Sequence, residues 1–259
     1  MSAPLSPFRL DGKSALISGA GGGIGRALVA RFADAGATIV GADRSSDLLE
    51  GLDLSHTVLF DQSDLQQTER AVAVHLDEFG APDIVVCNAG FTRAENLDQL
   101  DVATWEREVT INLNGAYAMT AAIVEAMAAR GSGNLVFISS VNGLAHFGNP
   151  AYSAAKAGLI AYARAIAVER GGQGVRANVV APGSVRTPAW DHRLAGDPGL
   201  LAKVLPHYPL GHLVSPDDVA NATVFLASPA AAGITGTVLP VDAGLTAGNL
   251  RFVDEVLRG

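Results

Sequence analysis

Seven short β-rich runs alternate along this chain with longer segments of helical period, and that alternation admits few folds besides a parallel sheet with crossover helices. The runs are residues 15–18, 38–42, 57–60, 84–87, 135–139, 177–180 and 238–241. Several are continuously apolar, the pattern of strands covered on both faces. Between the first two, Ile24, Leu28 and Phe32 recur every fourth residue and Gly36 stands where a C-terminal cap belongs, which makes one βαβ unit. Later helices are expected over 65–79, 104–130, 152–170 and 217–227, the last with Ser215 as N-cap and Pro216 at its first position. The stretch 188–216 has five prolines and reads as irregular, either a substrate lid or a plain surface excursion.

Composition narrows the class further. At 259 residues, 49% hydrophobic and 17% charged, the chain can bury a sizeable core and is too apolar for disorder. No linker or charge run divides it, so residues 1–259 are expected to form one domain with the lid segment at 188–216. The balance of 18 Lys and Arg against 26 Asp and Glu, a formal charge of −8, repels a polyphosphate backbone and argues against a nucleic-acid partner. Cys87 is the single cysteine, so there is no intrachain disulfide or thiolate-rich metal site, and a reducing compartment fits. Residues 1–13 lack a leader pattern and no apolar run reaches 18 residues, so a cytoplasmic protein with no membrane partner is expected.

The first run leads through Ser18-Gly19-Ala20-Gly21-Gly22-Gly23-Ile24-Gly25 straight into a helix. Glycines there let the backbone turn sharply and approach a pyrophosphate, while the first N–H groups and the positive dipole end of the helix attract the anion. Asp43 closes the second run, 20 residues beyond Gly23, where a carboxylate accepts from adenosine ribose hydroxyls and repels a 2′-phosphate. Arg44 is the counter-signal, because a guanidinium pairs with that phosphate. The acid at the strand end and Gly22, rather than a base, before Gly23 favour NAD over NADP. Asp61 closes the third run and is either an adenine contact or a turn acid.

Tyr152 and Lys156 stand four apart at the start of a helix, so both project from one face. A neighbouring ammonium favours the phenolate and makes such a tyrosine usable as a general acid or base. Ser139 and Ser140 close the fifth run at the carboxyl edge of the sheet, where ligands bind in open α/β folds. A hydroxyl there either holds a carbonyl oxygen or satisfies backbone groups at the strand end.

With these motifs together the sequence resembles the short-chain dehydrogenase/reductase family over nearly its whole length. Ser18 to Gly25 is similar to the family's TGxxxGxG loop with Ser for Thr, Asn88-Ala89-Gly90 matches its NAG turn, and Tyr152 to Lys156 matches YxxxK. Asn112 lies in the fourth helix where the family has an active-site Asn, and Pro182-Gly183 with Thr187 resembles PGxxxT. The resemblance implies a single-domain Rossmann-type α/β fold, a doubly wound parallel sheet of about seven strands with helices on both faces. It implies an oxidoreductase moving a hydride between NAD and a secondary alcohol or ketone, of sugar, polyol, hydroxyacyl or steroid-like class. By the same resemblance Tyr152 would exchange the proton, Ser140 would hold the carbonyl, Lys156 would bind ribose and lower the tyrosine pKa, and Asn112 would anchor a water. Gly19, Gly23, Ile24, Gly25, Asp43, Asp61, Asn88, Gly90, Val185 and Thr187 would border the cofactor together with Tyr152 and Lys156. A homotetramer or homodimer packed through 104–130 and 152–170 is also implied.

The family's serine stands three before a Gly and thirteen before the Tyr; Ser140 meets the first rule with Gly143 but lies twelve before Tyr152, while Ser139 meets the second. Ser140 is preferred, because a strand end fixes the turn more firmly than the following loop fixes its length. No metal site is expected among six scattered histidines, and Cys87 reads as a buried, inert thiol. His146, Phe147, Trp190 and His192 are the candidates for a substrate pocket, beside an apolar lid segment with Leu200, Leu201, Val204 and Tyr208. A non-catalytic nucleotide-binding or assembly protein on the same fold is the alternative, and the complete Asn112, Ser140, Tyr152 and Lys156 set speaks against it.

Overall fold

A computed structural model describes residues 6–93 and 95–258, without the side chains of Ala189 and His192. In chain order the main elements are β1 (Ser14–Ser18), α1 (Gly23–Asp34), β2 (Thr38–Asp43), α2 (Ser46–Leu49), β3 (His56–Leu59), α3 (Leu65–Phe79) and β4 (Ile84–Cys87). They continue with α4 (Val102–Val109), α5 (Gly115–Arg130), β5 (Gly133–Ile138), α6 (Pro150–Arg170), β6 (Val175–Pro182), α7 (Pro188–Gly196), α8 (Leu200–Val204), α9 (Pro216–Ala227) and β7 (Val238–Val241).

The seven strands form one parallel sheet in the order β3-β2-β1-β4-β5-β6-β7. This is the doubly wound Rossmann-type arrangement. The direction of winding reverses between β1 and β4, and in open α/β sheets the crevice beyond the carboxyl ends of such neighbours is where ligands bind. Alternation along the strands divides the core in two. In β1, Ala15 and Ile17 pack on the α1 and α9 side with Leu28, Phe32 and Leu226, while Leu16 faces the α3, α5 and α6 side with Met119, Met127 and Leu159. Leu28 and Phe32 are fully buried, each worth about 1.5–3 kcal/mol of transfer free energy.

Two expectations are corrected here. The helix predicted over 104–130 starts at Val102, with Asp101 accepting from the Thr104 N–H at 2.7 Å, and widens into a π turn over Thr110–Asn114 between α4 and α5. The stretch 188–216 is not irregular, because it folds into α7, α8 and a 3₁₀ turn at Leu205–His207; Pro188 and Pro206 sit in first turns, where a missing N–H costs nothing. Ser215 caps α9 reciprocally with Asp218, as its sequence announces.

Long-range pairing produces one feature that no local pattern reveals. His56 Nε2 lies 3.1 Å from His75 Nδ1, and Phe79 stacks on both rings. Burial holds both imidazoles below 6.5.

Candidate active site

At the β1–α1 turn Gly19 adopts φ +62°, and a Cβ at Gly25 would stand 2.0 Å from the Gly19 carbonyl, so neither position admits a side chain. Gly22 is the N-cap of α1 and offers no capping side chain. The first N–H groups of the helix therefore open onto a groove of about 640 Å³ walled by Gly21 to Gly25, Asp43, Arg44, Asp61, Asn88, Gly90 and Thr187. Arg26 braces this loop by donating to the carbonyls of Gly21, Leu48 and Glu50.

Asp43 is fixed by its neighbours. One carboxylate oxygen accepts from the Gly21 N–H at 3.0 Å and the other from the Arg44 N–H at 2.8 Å, which holds the anion at the groove wall. Asp61 accepts from the N–H and hydroxyl of Ser63, which keeps its carboxyl below the usual range; it acts as a turn acid while also lining the groove. Ser18 shows why a hydroxyl suffices in place of threonine: its Oγ accepts from the N–H groups of Asn88 and Ala89, and Asn88 Nδ2 donates to the carbonyls of Ser18 and Gly19. These bonds splice the ends of β1 and β4 at the switch point.

The groove continues into a smaller hollow of about 220 Å³ walled by Phe91, Thr92, Ser140, Tyr152, Lys156, Pro182, Gly183 and Val185. Ser139 donates to the Lys156 carbonyl and is buried as a strut. Ser140 instead caps the 3₁₀ turn Val141–Gly143 and hydrogen-bonds Tyr152, and both serines line the hollow. Lys156 is 2% exposed, its Nζ donates to the Ile138 carbonyl at 2.9 Å, and burial pulls its pKa down to about 8. Asn112 sits on the π turn with Oδ1 accepting from the Phe91 N–H and Nδ2 donating to the carbonyls of Phe91 and Glu108. A Cβ on Gly90 would stand 3.0 Å from Asn112 Oδ1 and 3.4 Å from Lys156 Nζ, so the turn after β4, the π turn and α6 converge on one point. Val185 is buried through a bridge to Val214, and Thr187 is the N-cap of α7 at the mouth of the groove.

A glycine cradle with uncapped helix N–H groups, an acid at the end of β2 and a Ser–Tyr–Lys cluster at the far end suit a dinucleotide with a reactive ring. A family model described as enoyl-(acyl carrier protein) reductase matches residues 19–246. An uncharacterised oxidoreductase of Schizosaccharomyces pombe is 38% identical over 95% of this chain and 96% of its own. A solved Burkholderia thailandensis oxidoreductase of the short-chain dehydrogenase/reductase family is 42% identical, with a TM-score of 0.87 over 95% of this chain and 98% of its own. The chain belongs to the short-chain dehydrogenase/reductase family. It is therefore an oxidoreductase built for a nicotinamide cofactor. A gluconate 5-dehydrogenase from Burkholderia cenocepacia, solved with NADP and tartrate, is 32% identical with a TM-score of 0.86 over 93% of this chain and 98% of its own.

Against the family pattern three expectations change. The phenol of Tyr152 stands at about 12 rather than lowered, because burial outweighs the Ser140 hydrogen bond and the charge of Glu108 acts in the same direction as burial. The Lys156 ammonium lies over the tyrosine ring, 5.3 Å from its centroid. Tyr208 is no lid residue: it is buried in the core and its hydroxyl accepts from the Ser184 N–H at 3.1 Å, supporting the Pro182–Gly183 segment from behind. His146 and Phe147 are exposed and neither they nor Trp190 wall the catalytic hollow; Trp190 is covered by Arg193 at 5.1 Å, and the His192 side chain lies outside the described residues. Cys87 is buried and its thiol pushed up by desolvation, an inert group as expected. Among the described residues, no group of three or more His, Cys, Asp and Glu could hold a metal ion, and no helix is long and apolar enough to cross a membrane.

Thr92 and Glu108 are the site residues that the motifs did not reveal. Glu108 had a signal, since it lies one turn before Asn112 on the same face of a helix.

Proposed function

We propose that this enzyme prefers NAD and interconverts a secondary alcohol and its ketone, on a substrate of sugar, polyol, hydroxyacyl or steroid-like class. The observation that carries the reading is the meeting of Ser140, Tyr152 and Lys156 at a hollow that shares Asn88, Gly90 and Phe91 with the glycine-floored groove, with Asn112 behind it holding both backbone groups of Phe91. When bound, the nicotinamide cofactor supplies or accepts the hydride. Tyr152 donates its phenolic proton to the substrate oxygen during reduction and, as phenolate, takes the hydroxyl proton during oxidation. Ser140, already hydrogen-bonded to Tyr152, holds the same oxygen and stabilises charge developing on it. Lys156 reaches ribose hydroxyls from the floor between hollow and groove, and Asn112 keeps the wall at Phe91 in place while its carbonyl oxygen anchors a relay water.

Asp43 supports the cofactor preference. A carboxylate held at the wall by two backbone N–H groups accepts from ribose hydroxyls and opposes a 2′-phosphate. The NADP found in the gluconate 5-dehydrogenase makes this a real choice within the family rather than a default. NADH and NADPH dissociation constants, read by fluorescence, are expected to favour NADH. Asp43→Ala should narrow the gap by about tenfold or more, the worth of a charge-assisted hydrogen bond. Tighter binding of NADPH by the unmodified protein would overturn the preference. Turnover across the four substrate classes tests the reaction.

A further inference from the structure

The loop after β4 walls the catalytic hollow with Phe91 and Thr92, and three consecutive residues of it are gripped from one face of the α4–π segment. Asn112 takes both backbone groups of Phe91. Glu108, fully buried, accepts from the Arg93 N–H and from the Thr92 hydroxyl at 3.4 Å. The Thr92 oxygen in turn accepts from Asn149 Nδ2 at 2.9 Å, and Asn149 is the N-cap residue of α6, three positions before Tyr152.

We propose that Glu108 is a positioning residue: a buried carboxylate that ties the loop after β4 to the first turn of the Tyr152 helix through Thr92 and Asn149. A buried carboxylate is expensive to hold unless hydrogen bonds receive it, and this one is received by the loop that shapes the hollow. Burial chiefly holds the proton on the Tyr152 phenol, and the charge of Glu108 acts in the same direction. The other groups facing the phenol are Lys156 on the same helix and Ser140 at the end of β5, with Cys87 of β4 buried near Lys156. Arg107, the neighbour of Glu108 on α4, directs its guanidinium over the Phe91 ring.

The inference rests on Tyr152 as the proton-exchanging group, but its test needs no substrate. Tyrosine labelled at Cζ reports phenol ionisation by NMR, and Tyr152→Phe identifies the Tyr152 resonance among the 4 tyrosines. Glu108→Gln keeps an acceptor oxygen and removes the charge. It should lower the Tyr152 midpoint by roughly 0.5–1 pH unit, the effect of one charge at short range in a protein interior. Glu108→Ala should speed hydrogen exchange at the Arg93 amide by about tenfold or more, because that N–H loses its acceptor. A midpoint in Glu108→Gln within about 0.2 unit of the parent would overturn the electrostatic role. Unchanged exchange in Glu108→Ala would overturn the positioning role; should that variant fail to fold, exchange at Arg93 in Glu108→Gln, whose neutral oxygen is a weaker acceptor for the same N–H, decides it the same way. Active Tyr152→Phe protein would instead refute the function of Tyr152 and leave these two measurements standing.

Discussion

Lys156→Met should make the protein more stable while ruining it as an enzyme. Lys156 is 2% exposed and, among the described residues, its ammonium has one hydrogen-bond acceptor, the Ile138 carbonyl. Burial brings its pKa from 10.5 to about 8, and at about 1.4 kcal/mol per pH unit the charged form is held at a cost of about 3 kcal/mol at neutral pH. Methionine has nearly the same length and no charge, so that penalty vanishes. The Ile138 carbonyl then loses its donor, which costs about 1–2 kcal/mol. The balance is a gain of about 1–2 kcal/mol, or roughly 2–8 °C in Tm for a chain of this size. The pH dependence identifies the cause. The unfolded chain keeps its lysine proton up to 10.5 and the folded one releases it near 8, so the parent gains stability as pH rises between these values. The Tm advantage of Lys156→Met should accordingly be full at pH 7 and shrink toward pH 10, with the titrations of other groups cancelling between the two proteins. Thermal unfolding by circular dichroism at several pH values measures it, and NADH fluorescence should show weakened binding in the same protein. A variant less stable than the parent at pH 7, with a difference that does not move with pH, would refute the reasoning.

Tyr152→Phe should bind NADH within about threefold of the parent and lose about 10² to 10⁴ in turnover, since only the proton-transferring hydroxyl is removed; retention of more than roughly a tenth of the activity would exclude Tyr152 from the role. Light scattering should find a homotetramer or homodimer joined through α4–α5 and α6, where Tyr117 and Val168 are exposed beside many small residues. A 26.6 kDa particle at micromolar concentration would dismiss that assembly.

The parts visible in the sequence are those that depend on short spacing. The glycines of the first turn, the Tyr152–Lys156 pair and the Ser215–Pro216 helix start each encode their geometry within a few residues, and all three occur where expected. Ser140 could be preferred over Ser139 because a strand end is a local feature. The remainder depends on partners far away in the chain. Tyr208 has the composition of a lid residue and only its contact with Ser184 makes it core. The Tyr152 pKa rises because the fold buries the phenol and brings Glu108 near, and no spacing in the sequence announces either. The His56–His75 pair joins a strand to a helix 19 positions later, outside the reach of any helical or strand period.

The π turn at Thr110–Asn114 inserts one residue into a helix, so the portions on either side differ in phase by about 100° from an unbroken helix. The two portions can thereby serve two clients: α5 turns Met119, Ile123 and Met127 into the sheet, while α4, in its own phase, aims Glu108 at the loop beside the catalytic hollow. Removing a single residue within 110–114 would restore an ordinary helix at little local expense and swing Glu108 about a quarter-turn away from Arg93. Length at this point works as a setting of rotation, and sequences aligned across it by hydrophobic period alone will fall out of step by one.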